Sequence, residues 1–503
     1  MVPTGQVLLD AEPQTTSNEL LMGKIGTSFL NEVIETWAPR ARRVSAQLRD
    51  ELELSEKLEP YNPFRFDGRL ASPPVLHLED VTGIPFVSDI PGVEEYQHRA
   101  RVRARTGDVF AAVTQPVEGY EEYCRQSLGL GAPAFLQPEP KDSPMAVASA
   151  CCEGEAFDKL VELGLQRGGL ILHPYMAIGS VWELARRLGE RHVGVEVMGP
   201  PPPTLWIAND KSSLADIIDR LADSAWNVET HAETSPEALT RRLRDMSSRH
   251  RRIGLKRTRC ASAMGNTVFN GDSVASLDPR DVKRDVLEFL ESTEWEEGET
   301  VLAVEWADTD DSPSTQLWIP PNGNGAPRLD GVYEQILKGE ERIFVGSRPS
   351  TLPGRVDRAL VEASMAMALV FQRLGYVGRC SFDFIVTGDV EADFDIKMTE
   401  CNGRWGGTST PMSLVDRLIK GNRPDYIAQD YVHPDLEGAA FTEILAATRE
   451  HHFDPATGEG RFIFYNVGPL DGRGKFDVIS LGETPDDAME GVEVVLPRLL
   501  GLN

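Results

Sequence analysis

The chain has 503 residues, of which 41% are hydrophobic and 26% are charged. That composition is typical of globular proteins, and the length predicts about three domains of roughly 100–200 residues each. The formal net charge of −28 at pH 7 argues against nucleic acid or an anionic membrane as the main partner, because binding to either requires a basic surface.

Neither a membrane span nor a secretion signal is predicted, because the sequence has no apolar run of ~18 residues and no basic-then-apolar start. The six cysteines show no Cys-x-x-Cys pair and no zinc-ligand spacing. The adjacent Cys151 and Cys152 are interpreted as free thiols, which are typical of a reducing compartment. We therefore expect a cytoplasmic protein.

Residues 1–203 are predicted to form an α/β domain. Its first part predicts a strand at Gln6–Leu9, a helix from Phe29 to Trp37, strands at Val75–Leu78 and Pro85–Val87, and a mainly helical segment over 93–128. Four arginines of that segment are interpreted as a solvated strip: Arg99, Arg101, Arg103 and Arg105. A strand at 170–172, a helix over 181–188 and a strand at 194–197 then precede four prolines at 200–203, where we place a domain boundary.

After the prolines, residues 205–221 predict a strand followed by an amphipathic helix. Lys211 lies just before the N-terminus of that helix. An ammonium group and a helix N-terminus together favour a bound polyphosphate, and an ordinary surface lysine is the alternative.

The one strongly basic stretch of this acidic chain lies at residues 241–259. Part of it is expected to be the solvated face of a helix over 236–249. A strand at 253–256 then ends in Lys256 and leads into a loop of small residues at 261–266. Small residues let backbone N–H groups approach phosphate oxygens, so this loop is suited to a nucleotide.

Further strands are predicted at 301–306 and 315–319, and Glu334 and Gln335 are placed in a helix-like stretch. A largely buried helix over 357–374 ends at Gly375. The last part of the chain predicts a helix over 437–450, strands at 461–466 and 475–480, and a closing helix near Pro485.

Two strands joined by a polar loop are predicted within 378–402. In the second strand Glu400 and Asn402 are predicted to lie on the same face as the apolar residues at 394, 396 and 398, because alternate residues share a face. An unpaired carboxylate on such a face requires a cation. In the first strand Asp383 points opposite to its two phenylalanine neighbours. If the strands are adjacent, these three side chains gather oxygen ligands suited to Mg²⁺, and solvated edge charges are the alternative.

Arg404 follows in a glycine-rich turn, where a fixed cation beside the oxygen cluster suits a phosphate or an oxyanion. This strand-Asp, then strand-Glu-x-Asn-x-Arg pattern resembles the end of the ATP-grasp fold. The longer string ECNGRWGGTSTPM at 400–412 looks like that of the peptide ligases of pheganomycin-type biosynthesis. The resemblance spans roughly residues 170–480 and is strongest at 378–412.

The resemblance implies an α/β (α+β) fold with a pre-ATP-grasp domain over 1–203, ATP-grasp lobes over 204–421 and a small C-terminal α+β unit over 422–503. It implies ATP and Mg²⁺ as cofactors, with the metal held by Asp383, Glu400 and Asn402. Arg404 would steady the acyl phosphate, and Lys256 would act in catalysis as well as in nucleotide binding. The implied nucleotide-binding residues are Lys211, Lys256, Met264, Gly265, Asn266, Glu305 and Trp306.

The activity implied by the resemblance is an ATP-dependent peptide ligase of antibiotic biosynthesis. Its substrates would be a small carboxylic acid, nonproteinogenic and guanidino-bearing, and the N-terminal amine of a peptide. Another carboxylate-activating ATP-grasp enzyme or a non-catalytic nucleotide-binding module stays open, and so does a homodimer. The stretch YEQILKGEERIF at 333–344 lacks the R-x-x-H-Q-K pattern of carboxylases, which counts against a biotin carboxylase.

Overall fold

The computed structural model describes residues 24–141, 143–260, 265–307, 309, 311–339, 343–421 and 423–502. The predicted strand at Gln6–Leu9 and the loop residue Met264 lie outside these ranges. Within them the chain forms three sheets with helices packed on their faces, which confirms the α/β (α+β) class. No helix of the described ranges is long and apolar enough to cross a membrane. All six cysteines are free thiols.

The first sheet contains five parallel strands, of which four are buried and the edge strand Ala134–Leu136 is partly exposed. The strands are β1 (Val75–Leu78), β2 (Val109–Ala111), β3 (Ala134–Leu136), β4 (Leu170–Pro174) and β5 (Val195–Val197), in the order β3-β2-β1-β4-β5. Parallel sheets require helical cover, which comes from Val147–Ala150, Gly154–Arg167 and Gly179–Glu190. The strands predicted at 75–78, 170–172 and 194–197 and the helix over 181–188 are confirmed.

Two predictions for this region are wrong. Pro85–Val87 is not a strand, because Phe86 has a φ of 62°, in the left-handed region, and a 3₁₀-helix begins at Val87. The segment over 93–128 is only partly helical, because it also contains β2. Its helical pieces are Val93–Arg99, Ala100–Arg103, Tyr120–Glu122 and Tyr123–Ser127.

The prediction of a solvated arginine strip is also wrong. Arg99, Arg101 and Arg103 are each at most 9% exposed. Glu79, which follows β1, meets two of them, with its carboxylate oxygens 3.0 Å from Arg99 Nη2 and 2.6 Å from Arg103 Nη2. Arg101 pairs with Glu121. The arginines are therefore buried at the carboxyl edge of the first sheet, where acids from distant parts of the chain neutralise them.

The second sheet is antiparallel and has four strands. They are β6 (Thr230–Glu233), β7 (Arg252–Arg257), β8 (Asn266–Asn270) and β9 (Val301–Glu305), in the order β6-β9-β7-β8. Apolar side chains of the helices Pro236–Met246 and Pro279–Ser292 cover one face, and the short helix Gly271–Ser276 follows β8. The predicted helix over 236–249 and the strands near 253 and 301 are confirmed.

Two consecutive helices connect the first two sheets. The strand predicted at 205–209 is wrong, because residues Pro202–Asn209 are helical. Proline at the first helical position has a favourable fixed φ and needs no N–H partner, so the proline run starts a helix here. The predicted amphipathic helix is confirmed as Lys211–Ala222, and the carboxylate of Asp210 caps it by accepting from the backbone N–H groups of Ser212 and Ser213.

The third sheet has eight strands. They are β10 (Pro313–Ile319), β11 (Arg328–Lys338), β12 (Ile343–Pro349), β13 (Gly378–Gly388), β14 (Phe394–Asn402), β15 (Asp425–Val432), β16 (Phe462–Asn466) and β17 (Lys475–Gly482), in the order β14-β13-β10-β11-β12-β15-β17-β16. The helix Gly354–Leu374 packs on this sheet, and Thr27–Glu51 packs on that helix. Glu334 and Gln335 lie in β11, so their helical prediction is wrong.

The strands after residue 422 extend the third sheet, since β15 pairs with both β12 and β17. The other helices of this half are Ser409–Leu418, Phe441–Ala447, Leu470–Arg473, Pro485–Glu490 and Leu496–Leu499. The division of the chain at 203 and 421 stays a prediction.

We expect Glu79→Gln to destabilise the protein by about 3–5 kcal/mol, because it leaves two buried guanidinium groups without their carboxylate. Urea and thermal unfolding measure the effect. Glu155→Gln is the matched control, since Glu155 pairs with Lys159 on an exposed helix face and its loss changes the stability little. Equal stability of the two variants would contradict the role assigned to Glu79.

Candidate functional site

A cleft of about 760 Å³ lies between the second and third sheets. The second sheet contributes Lys256, Asn266 and Glu305, and Trp306 follows its last strand. The third sheet contributes polar side chains of β10, β11, β13 and β14, namely Ser314, Gln316, Gln335, Ser381, Asp383, Glu400 and Asn402, followed by Arg404. The cleft thus gathers most of the residues predicted to form the site.

A β-bulge brings the three predicted metal ligands together. Asp383 pairs with Glu400, but its neighbour Phe384 pairs with Met398, so Thr399 is an extra residue in β14. A bulge reverses the inside–outside alternation of a strand. The core residues of β14 are therefore Ile396, Met398 and Cys401. The prediction that Glu400 shares a face with the apolar residues of β14 is wrong. The bulge turns Glu400 and Asn402 towards the cleft.

The side chains of β13 alternate as predicted. Phe382 and Phe384 lie in the core, and Asp383 between them lines the cleft. Its Oδ2 accepts a hydrogen bond from Nδ2 of Asn402 at 2.9 Å. Burial, and then the charge of Glu400, raises the pKa of Asp383 to about 6. Two carboxylates facing each other in this way favour a shared cation.

Lys211 lies next to this acidic pair. Its Nζ is 3.5 Å from Oε1 of Glu400 and 3.3 Å from Sγ of Cys260, and the residue is 7% exposed. Burial opposes the charged form, but Glu400 and Cys260 outweigh that effect and raise the pKa of Lys211 above its usual range. A buried ammonium group therefore stands at the start of a helix beside the carboxylates.

Lys256 faces the cleft from the end of β7. Its Nζ lies 4.8 Å from the ring centroid of Trp306, within the range of a cation–π contact. Burial, and then the charge of Lys211, lowers the pKa of Lys256 to about 8. A nearby anion would raise this pKa again, so the two lysines together favour a negatively charged ligand.

Arg404 completes the polar wall. Its Nη1 donates to Oδ1 of Asn209 at 3.2 Å, and the same oxygen accepts from the backbone N–H of Gly403 at 3.1 Å. The Nε of Arg404 is buried and has no hydrogen-bond partner among the described residues. A buried donor without a partner is costly, so this nitrogen is suited to an anionic ligand.

The remaining predicted nucleotide residues surround the same cleft. Asn266 pairs with Lys256 across β7 and β8. Gly265 precedes it, and a Cβ there would come within 2.7 Å of Cys260 Cβ, so only glycine fits. Glu305 accepts from the backbone N–H of Glu229 at 3.4 Å. Met264 lies outside the described residues.

Sequence reasoning missed three polar residues of the site. Ser314 and Gln335 hydrogen-bond to Asp383, and Asn209 holds Arg404 and its turn. Glu334 and Gln335 gave little signal, because they lie between apolar pairs at 332–333 and 336–337, which is not the alternation of a strand. Asn209 gave no sequence signal, since its partners Gly403 and Arg404 lie almost two hundred residues away in the chain.

The residues present fit a magnesium ion. In the described ranges no three His, Cys, Asp or Glu side chains cluster as metal ligands, so the candidate set is two carboxylates and one amide. Such oxygen donors suit Mg²⁺, which keeps part of its water shell and shares the rest with phosphate. Burial and the charge of Glu400 raise the pKa of Asp383, so a bound cation would favour the ionised form of this carboxyl group.

Comparison with known proteins identifies the fold. Residues 97–190 match the family model of the pre-ATP-grasp domain. The chain is similar to carboxyaminoimidazole ribonucleotide synthase from Aspergillus clavatus complexed with ATP, with 13% identity, 86% of this chain and 99% of that chain covered, and a TM-score of 0.50. No curated protein sequence matches the chain.

A second similar structure is the biotin carboxylase domain of 2-oxoglutarate carboxylase from Hydrogenobacter thermophilus, complexed with MgADP, ADP and bicarbonate. It shares 12% identity, covers 85% of this chain and 92% of that chain, and has a TM-score of 0.50. The chain therefore has the ATP-grasp fold. A pre-ATP-grasp domain is matched within its first part, as the resemblance predicted, and closeness to the pheganomycin-type ligases stays a prediction.

The metal-free chain should become more stable when Asp383 is replaced by Asn. The folded-state pKa of Asp383 is raised from 3.8 to about 6, so its contribution to stability is present below 3.8 and is lost as the pH rises through 6. We expect Asp383→Asn to raise the thermal midpoint clearly at about pH 8 and less at about pH 5.

Addition of MgCl₂ at about pH 8 should raise the midpoint of the parent but not that of Asp383→Asn, since a ligand stabilises only a chain that binds it. Asp395→Asn is the control, because Asp395 lies exposed on the neighbouring strand β14 beside Lys397. A similar magnesium response in all three chains would remove Asp383 from the metal site.

Proposed function

We propose that the protein is an ADP-forming ATP-grasp ligase that activates a substrate carboxylate and joins it to an amine. The observation that carries the proposal is the meeting of Asp383, Glu400 and Asn402 with Lys211, Lys256 and Arg404 around one cleft. The ATP and MgADP named for the two similar structures support a nucleotide in this cleft.

ATP would lie between the second and third sheets. Lys211 and Lys256 supply positive charge for its phosphates, and the helix that begins at Lys211 adds its N-terminal dipole. The strand end at Glu305 and Trp306 would hold the adenine and ribose, and Gly265 and Asn266, with Met264 before them, would close over the phosphates.

The two carboxylates and the amide of Asn402 would hold Mg²⁺. Bound there, the metal would supply positive charge that offsets the charge developing during phosphoryl transfer. Lys211 would orient Glu400, since the two groups are 3.5 Å apart. Asn402 in turn orients Asp383 through its 2.9 Å hydrogen bond.

The reaction needs no nucleophilic side chain. A carboxylate oxygen of the substrate attacks the γ-phosphorus, ADP leaves, and an acyl phosphate forms. The amine then attacks the acyl carbon, and inorganic phosphate leaves. Arg404 supports both steps, because its fixed guanidinium group can bind the phosphate oxygens of the acyl phosphate and the oxyanion of the tetrahedral intermediate.

We further propose that the amine is the N-terminus of a peptide and that the acid is a nonproteinogenic, guanidino-bearing amino acid derivative, as in antibiotic biosynthesis. The string ECNGRWGGTSTPM supports this narrower assignment. The free thiols and the nucleotide substrate support a cytoplasmic location. A carboxylase is the competing assignment, favoured by the bicarbonate bound in one similar structure.

We expect Glu400→Gln and Lys256→Ala each to lower turnover by at least ~10²-fold, because Glu400→Gln weakens the hold on the metal and Lys256→Ala removes positive charge from the phosphates. The measurement is ADP formation with panels of acid and amine pairs, followed by product mass. Phosphate release that requires an added amine supports ligation, and release that requires bicarbonate alone supports carboxylation.

Glu391→Gln is the matched control, since Glu391 lies exposed in the loop between β13 and β14. Its turnover should equal that of the parent. Undiminished turnover in Glu400→Gln or Lys256→Ala would exclude that residue from the mechanism. Complete absence of ADP formation by the parent with every pair, together with tight nucleotide binding, would point to a non-catalytic module.

A further inference from the structure

The cleft has a second polar end, which the proposed mechanism does not use. We call it the acidic pole. It is built from the 3₁₀-helix Val93–Arg99 and the strands β15, β16 and β17. Its lining residues are Tyr96, Arg99, Asp430, Tyr465, Lys475 and Asp477.

Asp477 is the central residue of the acidic pole. It is 3% exposed, and it lies directly opposite Asp430 across β15 and β17. Its Oδ2 accepts from Nδ2 of Asn466 at 3.0 Å. Its Oδ1 is buried and has no hydrogen-bond partner in the described part of the chain. A buried carboxylate oxygen in that state is costly, and an external donor would relieve the cost.

The cations of the pole already have partners. Lys475 Nζ lies 2.5 Å from Oδ2 of Asp430 and 2.5 Å from the hydroxyl oxygen of Tyr96. Arg99 Nη2 lies 3.0 Å from Oε1 of Glu79. Asp430 and Glu79 therefore take the short contacts of these cations, and Asp477 is the carboxylate left over.

The pole is close to the reacting end of the cleft. The backbone N–H of Trp405, the residue after Arg404, donates to the carbonyl oxygen of Tyr175 at 2.9 Å. The ring of Tyr175 lies 5.2 Å from the guanidinium carbon of Arg99, and the ring of Tyr96 lies 4.4 Å from it on another side. Contacts through Trp405 and Tyr175 thus connect the turn at Arg404 to Arg99, and Arg404 and the acidic pole line the same cleft.

We propose that the acidic pole is a subsite for a protonated amine of the substrate, with Oδ1 of Asp477 as its acceptor and Asp430 beside it. The ligand class is an amino acid or a peptide that carries a primary ammonium group. This inference rests on the proposed ligase function for the identity of the molecule, but the ammonium contact itself requires only the cleft.

The titration of Asp477 agrees with this geometry. Burial, and then the charge of Asp430, raises the pKa of Asp477 to about 8. A bound ammonium group favours the ionised carboxylate, so binding should release a proton below that pH. The charged and titratable groups that face Asp477 are Asp430 on β15, Tyr465 on β16, Lys475 on β17, and Tyr96 and Arg99 on the 3₁₀-helix.

The test measures binding of matched probes to the full chain with saturating MgADP. Each pair consists of an amine-bearing acid and an analogue without the free amine, namely glycine and acetate, β-alanine and propanoate, γ-aminobutanoate and butanoate, 6-aminohexanoate and hexanoate, and dialanine and N-acetyldialanine. Calorimetry gives the affinities of the parent, of Asp477→Asn and of Asp425→Asn. Asp425 is the matched control, because it lies on β15 outside the cleft lining.

We expect the parent to bind the amine-bearing member of at least one pair about 10-fold or more tightly than its analogue, and Asp477→Asn to lose that preference, since hydrogen bonds to charged groups have this magnitude. Asp425→Asn should retain it. No preference in any pair, or an equal preference in Asp477→Asn, would overturn the subsite.

The parent alone provides a second measurement in case Asp477→Asn does not fold. Its affinity for the preferred amine should rise by about tenfold per pH unit between about pH 6 and 8, and a flat profile would contradict the role of Asp477. ADP formation is followed in parallel. Amine binding that depends on Asp477, without any ADP formation, would refute the ligase activity and support the subsite. ADP formation without a preference for the amine would support the ligase activity and refute the subsite.

Discussion

The site depends on one extra residue in β14. With Thr399 bulged, Ile396, Met398 and Cys401 pack into the core while Glu400 and Asn402 lie beside Asp383 on the cleft side of the sheet. Without the bulge, strand alternation would direct Glu400 to the core face together with Met398, on the side of the sheet opposite to Asp383. The end of β14 must place apolar side chains in the core and charged side chains in the cleft. The bulge makes both possible, and it sets where the following glycine turn and Arg404 begin.

The charges around the cleft are balanced in two separate groups. At one end Lys211 and Lys256 face Glu400 and Asp383, and a nucleotide with its metal would add charges of both signs there. At the other end arginines from the first sheet and acids from β15 and β17 are buried together. The continuous third sheet connects these ends, so the strands after residue 422 belong to the wall of the cleft.

Local patterns predicted most elements and the main site residues. Lys211, Lys256 and Glu400 lie at strand or helix ends that composition and period reveal. The errors had non-local causes. The arginines at 99, 101 and 103 are buried because Glu79 and Glu121 meet them, and a bulge cannot be predicted from alternation alone. The helix at Pro202–Asn209 was mistaken for a strand because a short apolar run fits both.

The contact of Asn209 with Gly403 and Arg404 has a mechanical consequence. Asn209 ends a helix that starts directly at the proline run behind the first sheet, and its amide fixes the turn that carries the guanidinium group. A rigid rotation of the first sheet would therefore be transmitted as a displacement of Arg404. If the first sheet were exchanged between homologous chains, the protein should still fold. Arg404 would be misaligned, however, unless Asn209 and its helix were exchanged together with the sheet.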